Sequence, residues 1–284
     1  MTRSTLKSRL RKQLARAPFR NVAAPVFDGL VRAELAAVRR WDAAAAGREA
    51  ASPRELERVT AIIKTFERPR LLTRLVGGLL RSFPGLAIIV ADDSRVPMHL
   101  TGVQTIELPF DSGVSAGRQA ALDAVQTELT WVLDDDFVVY HGTRLASVVR
   151  TLHEQAQLDL VGGPVIDLPF GTVRGSPNEK VYPTNGEPVV SLGTRLGRAV
   201  VCDKVPNFFV ARTERLRQVG WDAQLKRVEH GDFFTRARGV LVTGFDRAFS
   251  CLHAQTPFDT AYMSKRDDYA DDEALLRARY FPDE

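Results

Sequence analysis

Three consecutive carboxylates, Asp134, Asp135 and Asp136, interrupt the apolar run from Leu129 to Tyr140, LTWVLDDDFVVY. Apolar residues this dense and this rich in β-formers describe a strand buried on both faces, with the acids at its end. Two carboxylates about 4 Å apart repel by about 4 kcal/mol at an effective dielectric near 20. The cluster therefore needs a positive partner. A divalent cation meets that need, because hard oxygen ligands suit Mg²⁺ or Mn²⁺, which usually also hold substrate phosphates. A solvated acidic turn is the plainer alternative, since aspartate is a common turn residue.

Other chemistry-bearing groups end other apolar runs. Lys64, Thr65 and Phe66 follow Val59 to Ile63, and Asp92, Asp93 and Ser94 follow Leu86 to Ala91. Asp92 and Asp93 also suit a turn or a helix cap. Later, Glu229, His230, Gly231 and Asp232 stand immediately before Phe233 and Phe234 at the start of a short helix, and His253 follows the last apolar run.

The elements that must position these residues follow an alternating grammar. Val59 to Ile63 reads as a strand, and Pro69 opens a helix with an inner face of Leu72, Leu75, Val76, Leu79, Leu80 and Phe83. Leu86 to Ala91 and Val103 to Leu108 read as strands, followed by a helix from Ser115 and then by the aspartate-tipped strand. A helix carrying Leu145, Val148, Val149 and Leu152 leads to a strand over Leu158 to Val165. The pattern implies an α/β fold with a mostly parallel, twisted sheet, whose ligands collect beyond the carboxyl ends of the strands. All the polar strand ends fall at that one edge.

Residues 166 to 206 are rich in Gly, Pro and charge, and a loop of this length is usually a binding or lid segment. Val205 to Ala211 reads as a strand bearing Asn207, with Thr213 as the cap of a helix ending at Gly220. Val240 to Phe245 and Ala248 to Leu252 read as closing strands.

With 284 residues and 44% hydrophobic content, the chain can bury a substantial core. Its apolar runs are too short to span a bilayer, and its first residues lack the apolar core of a signal peptide, which places it in the cytoplasm. Cys202 and Cys251 have neither disulfide nor zinc-ligand spacing and read as small buried hydrophobes.

The net charge of +4 is unevenly spread, because Arg3, Lys7, Arg9, Arg11, Lys12, Arg16 and Arg20 come before the first acid. Leu6, Leu10 and Leu14 would give this segment an apolar stripe, so residues 1–20 suit peripheral contact with the inner face of an anionic membrane. Nucleic acid is not indicated, for want of interleaved aromatics or a binding module. Phe27, Leu30, Val31, Leu35, Val38 and Trp41 share a face of a second helix. Residues 1–55 thus form a helical appendage that packs on the body or on the second subunit of a homodimer. Residues 56–165 would be a nucleotide-binding half of the main domain and 166–284 an acceptor-binding, catalytic half.

The blocks VTAIIKTFERPRLLTRLVGGLLRSFPGLAIIVADDS, LPFDSGVSAGRQAAL, WVLDDDFVV, LDLVGGPV and VPNFFVARTERLRQVGWDAQLKRVEHGDFF occur in this order. Together they resemble the β-1,4-N-acetylgalactosaminyltransferases of the ganglioside-synthase type, and more broadly the inverting GT-A glycosyltransferases. The resemblance covers roughly residues 59 to 255. It implies sugar transfer from a UDP donor to a glycan or glycolipid hydroxyl, with Mn²⁺ or Mg²⁺ as cofactor. It also implies that Asp134 or Asp135 faces the ribose or sugar, and that Asp136 and His253 ligate the metal. A cation at the diphosphate would stabilise the charge of the leaving group.

On the same reading Lys64, Thr65 and Asp92 or Asp93 contact the uridine, while Arg118 contacts the nucleotide or pairs with Asp92 or Asp93. Asn207, in the NFF run, faces the sugar on this reading. Inverting transfer needs a general base, for which the resemblance indicates Asp232, with Glu229 as the alternative and His230 to orient either. Two rivals remain. A nucleotidyltransferase would carry a Gly-rich signature after the first strand, where KTFERPR has no glycine; a non-catalytic scaffold would bind the nucleotide sugar without transfer.

Overall fold

The computed structural model describes residues 19–44 and 51–282. The expected apolar stripe of Leu6, Leu10 and Leu14 with its flanking bases therefore lies outside the described residues. Helix α1 (Phe19–Ala44) and the short α2 (Pro53–Leu56) precede the body. Ser52 and Glu55 close a reciprocal capping box on α2, satisfying two otherwise orphaned N–H groups.

The alternation then proceeds through β1 (Val59–Thr65), α3 (Pro69–Ser82), β2 (Ala87–Asp92), β3 (Gln104–Glu107), α4 (Val114–Ala124) and β4 (Leu129–Asp134). The next elements are β5 (Phe137–Val138), α5 (Leu145–Glu154), β6 (Leu160–Gly162), β7 (Val165–Leu168), β8 (Thr172–Arg174), β9 (Arg195–Leu196) and β10 (Ala199–Val201). The chain ends with β11 (Phe209–Arg212), α6 (Thr213–Val219), α7 (Glu229–Ala237), β12 (Thr243–Phe245), β13 (Cys251–Ala254), α8 (Thr260–Arg266) and α9 (Ala270–Tyr280).

Nine strands form the main sheet, in the order β3-β2-β1-β4-β11-β6-β12-β10-β9. From β3 to β4 all pairings are parallel, as the alternation implies. Beyond β4 the sheet is mixed, because β11 runs antiparallel to both β4 and β6. A second sheet, β5-β13-β7-β8, stands beside the acidic tip.

Alternate residues of the central strands enter opposite core layers, as the period of two requires. Ala61, Ile63, Trp131 and Leu133 pack with Leu72, Leu75 and Leu79 of α3 and with Val148, Val149 and Leu152 of α5. Ile62 and Val132 face the other way, against Ala121 and Leu122 of α4 and Phe233 and Phe234 of α7. Burial on both faces explains why these strands have almost no polar residues until their ends.

Several boundaries differ from the sequence reading. The strand expected over Leu158 to Val165 is broken at Gly163, where a Cβ would stand 1.6 Å from the Phe249 carbonyl oxygen. That close approach lets the chain leave the main sheet as β6 and enter the second as β7. The 166–206 segment also contributes β8, β9 and β10. Thr213 does not cap α6; its hydroxyl bonds the Thr127 carbonyl and Thr130 instead. On α1, Val31 and Leu35 pack on Leu168, Leu252 and Ala254, but Leu30 is exposed, and Trp41, also exposed, only lies along the His141 ring.

Candidate active site

The parallel register aligns Lys64 with Asp134, so β1 and β4 end level. Beside them, β13 pairs His253 with Phe137 of β5 and with Asp167 of β7. A cleft opens at this edge, lined among others by Lys64, Thr65, Asp134, Asp135, Asp136, Asn207, Glu229 and His253. His253 lies inside β13 rather than after it.

The three aspartates have different environments. Asp135 is buried; it accepts from the Thr65 hydroxyl at 2.8 Å and from Arg68 Nη1 at 2.8 Å. Burial, opposed by Arg68 and reinforced by the charge of Asp136, raises its pKa to about 6. Asp136 Oδ2 accepts from Arg68 Nη2 at 2.8 Å and lies 3.1 Å from His253 Nε2. Burial would raise Asp136, but His253 and Arg68 outweigh it and hold the carboxyl well below its ordinary value. Asp134 is partly open to the cleft and pairs with Arg118.

Arg68 thus supplies the positive partner that the acidic tip requires, and it went unnoticed in the sequence. Its signal was the following proline, which disfavours helical backbone at the preceding residue and leaves Arg68 at the helix entrance. Glu67 before it has φ 54°, a left-handed conformation held by the Ser94 hydroxyl at 2.6 Å from its N–H. Tyr262 of α8 stacks on the Arg68 guanidinium at 4.1 Å, and Thr256 accepts from it at 3.1 Å.

His253 is held between two carboxylates, with Nδ1 2.7 Å from Asp167. Burial alone would lower its pKa, but Asp136 and Asp167 outweigh that and raise it to about 9. Among the described residues no group of three His, Cys, Asp or Glu side chains is assembled as a metal cage. The Asp136–His253 pair nevertheless fits a hard cation, since Mg²⁺ commonly takes one or two protein carboxylates and completes its shell with water and substrate phosphate. Deprotonated His253 would be the second donor.

On the far wall Arg118 bridges Asp134 and Glu229 rather than reaching Asp92 or Asp93. A guanidinium only donates, so the Asn207 amide oxygen faces Arg118, at 3.1 and 3.2 Å, and the amide nitrogen donates to His230 Nδ1 at 2.7 Å. Neutral His230 therefore carries its proton on Nε2. Burial, with Lys204 and Arg118 nearby, lowers His230 to about 3, so the ring is neutral in ordinary buffers. It orients and donates; it has no free lone pair with which to act as a base.

Two sequence expectations change at this point. Asp92 and Asp93 do not line the cleft. Asp92 accepts from the backbone N–H of Ser94 and Met98, both at 2.9 Å, while Asp93 pairs with Lys64 and accepts from Gly113 N–H at 2.9 Å. Both acids fasten the loops at the β1–β2 side of the cleft instead of presenting free carboxylates. Gly113 has φ 99°, and a Cβ there would meet Lys226 Cα at 2.8 Å, so this junction requires glycine.

Asp232 also lies outside the cleft, fully buried on the inner side of α7. Arg236 Nε at 2.7 Å, Arg279 Nη1 at 2.6 Å and the Tyr280 hydroxyl at 2.7 Å occupy its oxygens. Glu229, three residues earlier on the same helix, does line the cleft. Burial raises the pKa of Glu229 even though Arg118 opposes it. Phe66, Arg174, Arg227, Tyr262, Lys265 and Arg266 also line the cleft, and only Phe66 among them was expected at this edge.

A half-parallel sheet with an acid-tipped central strand and a cleft at its carboxyl edge is the GT-A arrangement. The TarS 1–349 structure of S. aureus superposes with a TM-score of 0.53 at 17% identity, covering 69% of this chain and 60% of that one. Its complex with UDP-GlcNAc gives a TM-score of 0.51 at 16% identity, covering 70% of this chain and 58% of that one. Residues 60–238 match Glycosyl transferase family 2, and the chain belongs to that family. Beta-1,4 N-acetylgalactosaminyltransferase 1 of Homo sapiens is 37% identical over 199 residues, which span 66% of this chain and 37% of the relative. Beta-1,4 N-acetylgalactosaminyltransferase 2 of Mus musculus is 34% identical over 198 residues, with the same shares. The chain thus spans little more than a third of the length of these relatives.

Proposed function

We propose that this chain is an inverting glycosyltransferase that moves N-acetylgalactosamine, or a related hexose or hexosamine, from a UDP donor to a glycan or glycolipid hydroxyl. The observation that carries this reading is the convergence of Asp134, Asp135, Asp136, His253 and Glu229 with Lys64, Arg174, Arg227, Lys265 and Arg266 in one cleft. Acids suit a cation and sugar hydroxyls, whereas the flanking bases suit a diphosphate.

In this reading Asp136 and His253 hold Mn²⁺ or Mg²⁺, which when bound neutralises charge on the departing diphosphate. Arg174, Lys265 and Arg266 line the cleft beside them and suit the phosphates. Thr65 and Lys64 border the uridine side, and Asp134 and Asn207 the sugar. Glu229 is the general base: its carboxylate lines the cleft, and its raised pKa favours accepting a proton from the acceptor hydroxyl. Asn207 and His230 fix the wall on which it stands, and Asp232 anchors α7 from behind.

UDP release from candidate donors, measured with acceptor and Mn²⁺, tests the reading. Chelation and Asp136→Ala should each abolish turnover, and turnover unaffected by both would refute the metal role. Glu229→Gln should lower kcat by about 10²- to 10⁴-fold while leaving UDP affinity within a few-fold. A kcat unchanged in Glu229→Gln and lost in Asp232→Asn would return the base to Asp232.

A further inference from the structure

We infer that the outer face of α1 is a docking surface for an anionic lipid bilayer. Helix α1 has two apolar faces; one packs on the body along its length, and the other touches it at the end, where Trp41 stacks on His141. Val31 and Leu35 are buried against Leu168, Leu252 and Ala254, with Phe27 edge-on to Phe258 at 5.6 Å. The other face is formed by Phe19, Val22, Val26, Leu30 and Trp41, which are 63%, 68%, 58%, 42% and 68% exposed. Ala33 and Ala37 continue the same line, at spacings of three and four residues.

This stripe runs the length of the helix; from Phe19 to Ala37 its residues are exposed, and at its far end the Trp41 ring lies along His141, 6.1 Å between centroids. At the flank Phe170, 76% exposed, extends the apolar surface, its N–H bonded to Glu34 Oε1 at 3.0 Å. Large exposed apolar surface of this kind marks an interaction site.

Charge identifies the occupant. The acids of α1 are Asp28, Glu34 and Asp42, and none lies on the stripe. Glu34 and Asp42 instead bond the body, at Phe170 and His141. Arg32, Arg39 and Arg40 are exposed on the same helix. The sequence leading into Phe19 adds Arg3, Lys7, Arg9, Arg11, Lys12 and Arg16, and no acid precedes Asp28.

A second copy meeting this face would present the same acid-free stripe and so offer these bases no counter-charge. An anionic headgroup layer complements them, while Phe19, Val22, Val26, Leu30 and Trp41 enter the acyl boundary. This surface also bears on acceptor access: the strand pair β7–β8, whose turn carries Phe170, also delivers Arg174 to the cleft.

Vesicle sedimentation of the full chain tests the inference without requiring sugar transfer. Vesicles of phosphatidylcholine with 30% phosphatidylglycerol should bind the protein at least tenfold more tightly than pure phosphatidylcholine, and added salt should weaken the binding. Val26→Asp/Leu30→Asp should lower the partition coefficient at least tenfold, with an unchanged circular dichroism spectrum and unchanged turnover of a soluble donor. Trp131 and Trp221 are buried, so a blue shift of emission on binding reports Trp41 entering the bilayer. Undiminished binding by the double variant, or no spectral shift, overturns the proposal. So does a wild-type dimer that the double variant splits while neither protein binds vesicles, which would assign the face to a second copy. Absence of sugar transfer with vesicle binding intact would refute only the proposed activity.

Discussion

Arg68 spans Asp135 and Asp136 with one Nη each, and all three side chains are buried. Removing one partner of such a buried pair leaves an uncompensated charge, so Arg68→Ala should cost about 3–5 kcal/mol in urea denaturation. Arg68→Lys should rescue little, because an ammonium lacks the planar fork that reaches both carboxylates. His230 provides a pH signature. Its folded pKa of about 3 lies below the ordinary 6.5, so the fold favours the neutral ring. The corresponding stability is present above about pH 6.5 and is lost as pH falls toward 3. His230→Gln should therefore lose less stability than the wild type between pH 7 and pH 4.5, as measured by urea midpoints at the two pH values. At this scale the sequence displayed the acids well, because three aspartates in an apolar strand are conspicuous. It concealed their partners, since an arginine can reach them from a neighbouring loop without any spacing rule.

Helices α7 and α9 work as a pair. Asp272 of α9 accepts from three successive N–H groups, those of Lys226 at 3.1 Å, Arg227 at 2.6 Å and Val228 at 3.1 Å. These residues lead directly into Glu229, so the C-terminal helix fixes the entry of the element that carries the proposed base. Asp272→Ala should cost about 1–3 kcal/mol, read by chemical denaturation, and should also lower kcat by loosening this entry. Asp232→Asn disrupts the second fastening, to Arg236 and Arg279, and should destabilise by about 3 kcal/mol while kcat of the folded enzyme stays within tenfold. A residue at the first turn of a helix near other acids looks catalytic in sequence. Which side of the turn it occupies depends on packing against a helix some forty residues later, and periodicity alone did not place Asp232 behind α7.

For the molecule as a whole, UDP with Mn²⁺ should stabilise more than UDP alone in a thermal-shift titration, reaching about 2.7 kcal/mol over the free protein at 100 times its dissociation constant. Equal shifts with and without the ion would count against Asp136 and His253 as its ligands. The α/β class and the strand-end cleft were legible because β1, β2 and β4 bury both faces and so keep long apolar runs. The second sheet was not, since β5, β7, β8 and β13 have two to four residues each and no readable alternation. Its placement depends on Gly163 and on pairing between distant segments.

The position of β11 also bears on how the molecule is made. This strand lies between β4 and β6, yet it follows both in the chain. A nascent chain stopped at residue 165 would have the acidic strand with one flank open to any passing backbone. Closure requires Phe209–Arg212 to be threaded home between neighbours that were synthesised long before it, a slow, long-range event. Truncations ending before that strand should precipitate rather than yield a soluble nucleotide-binding fragment.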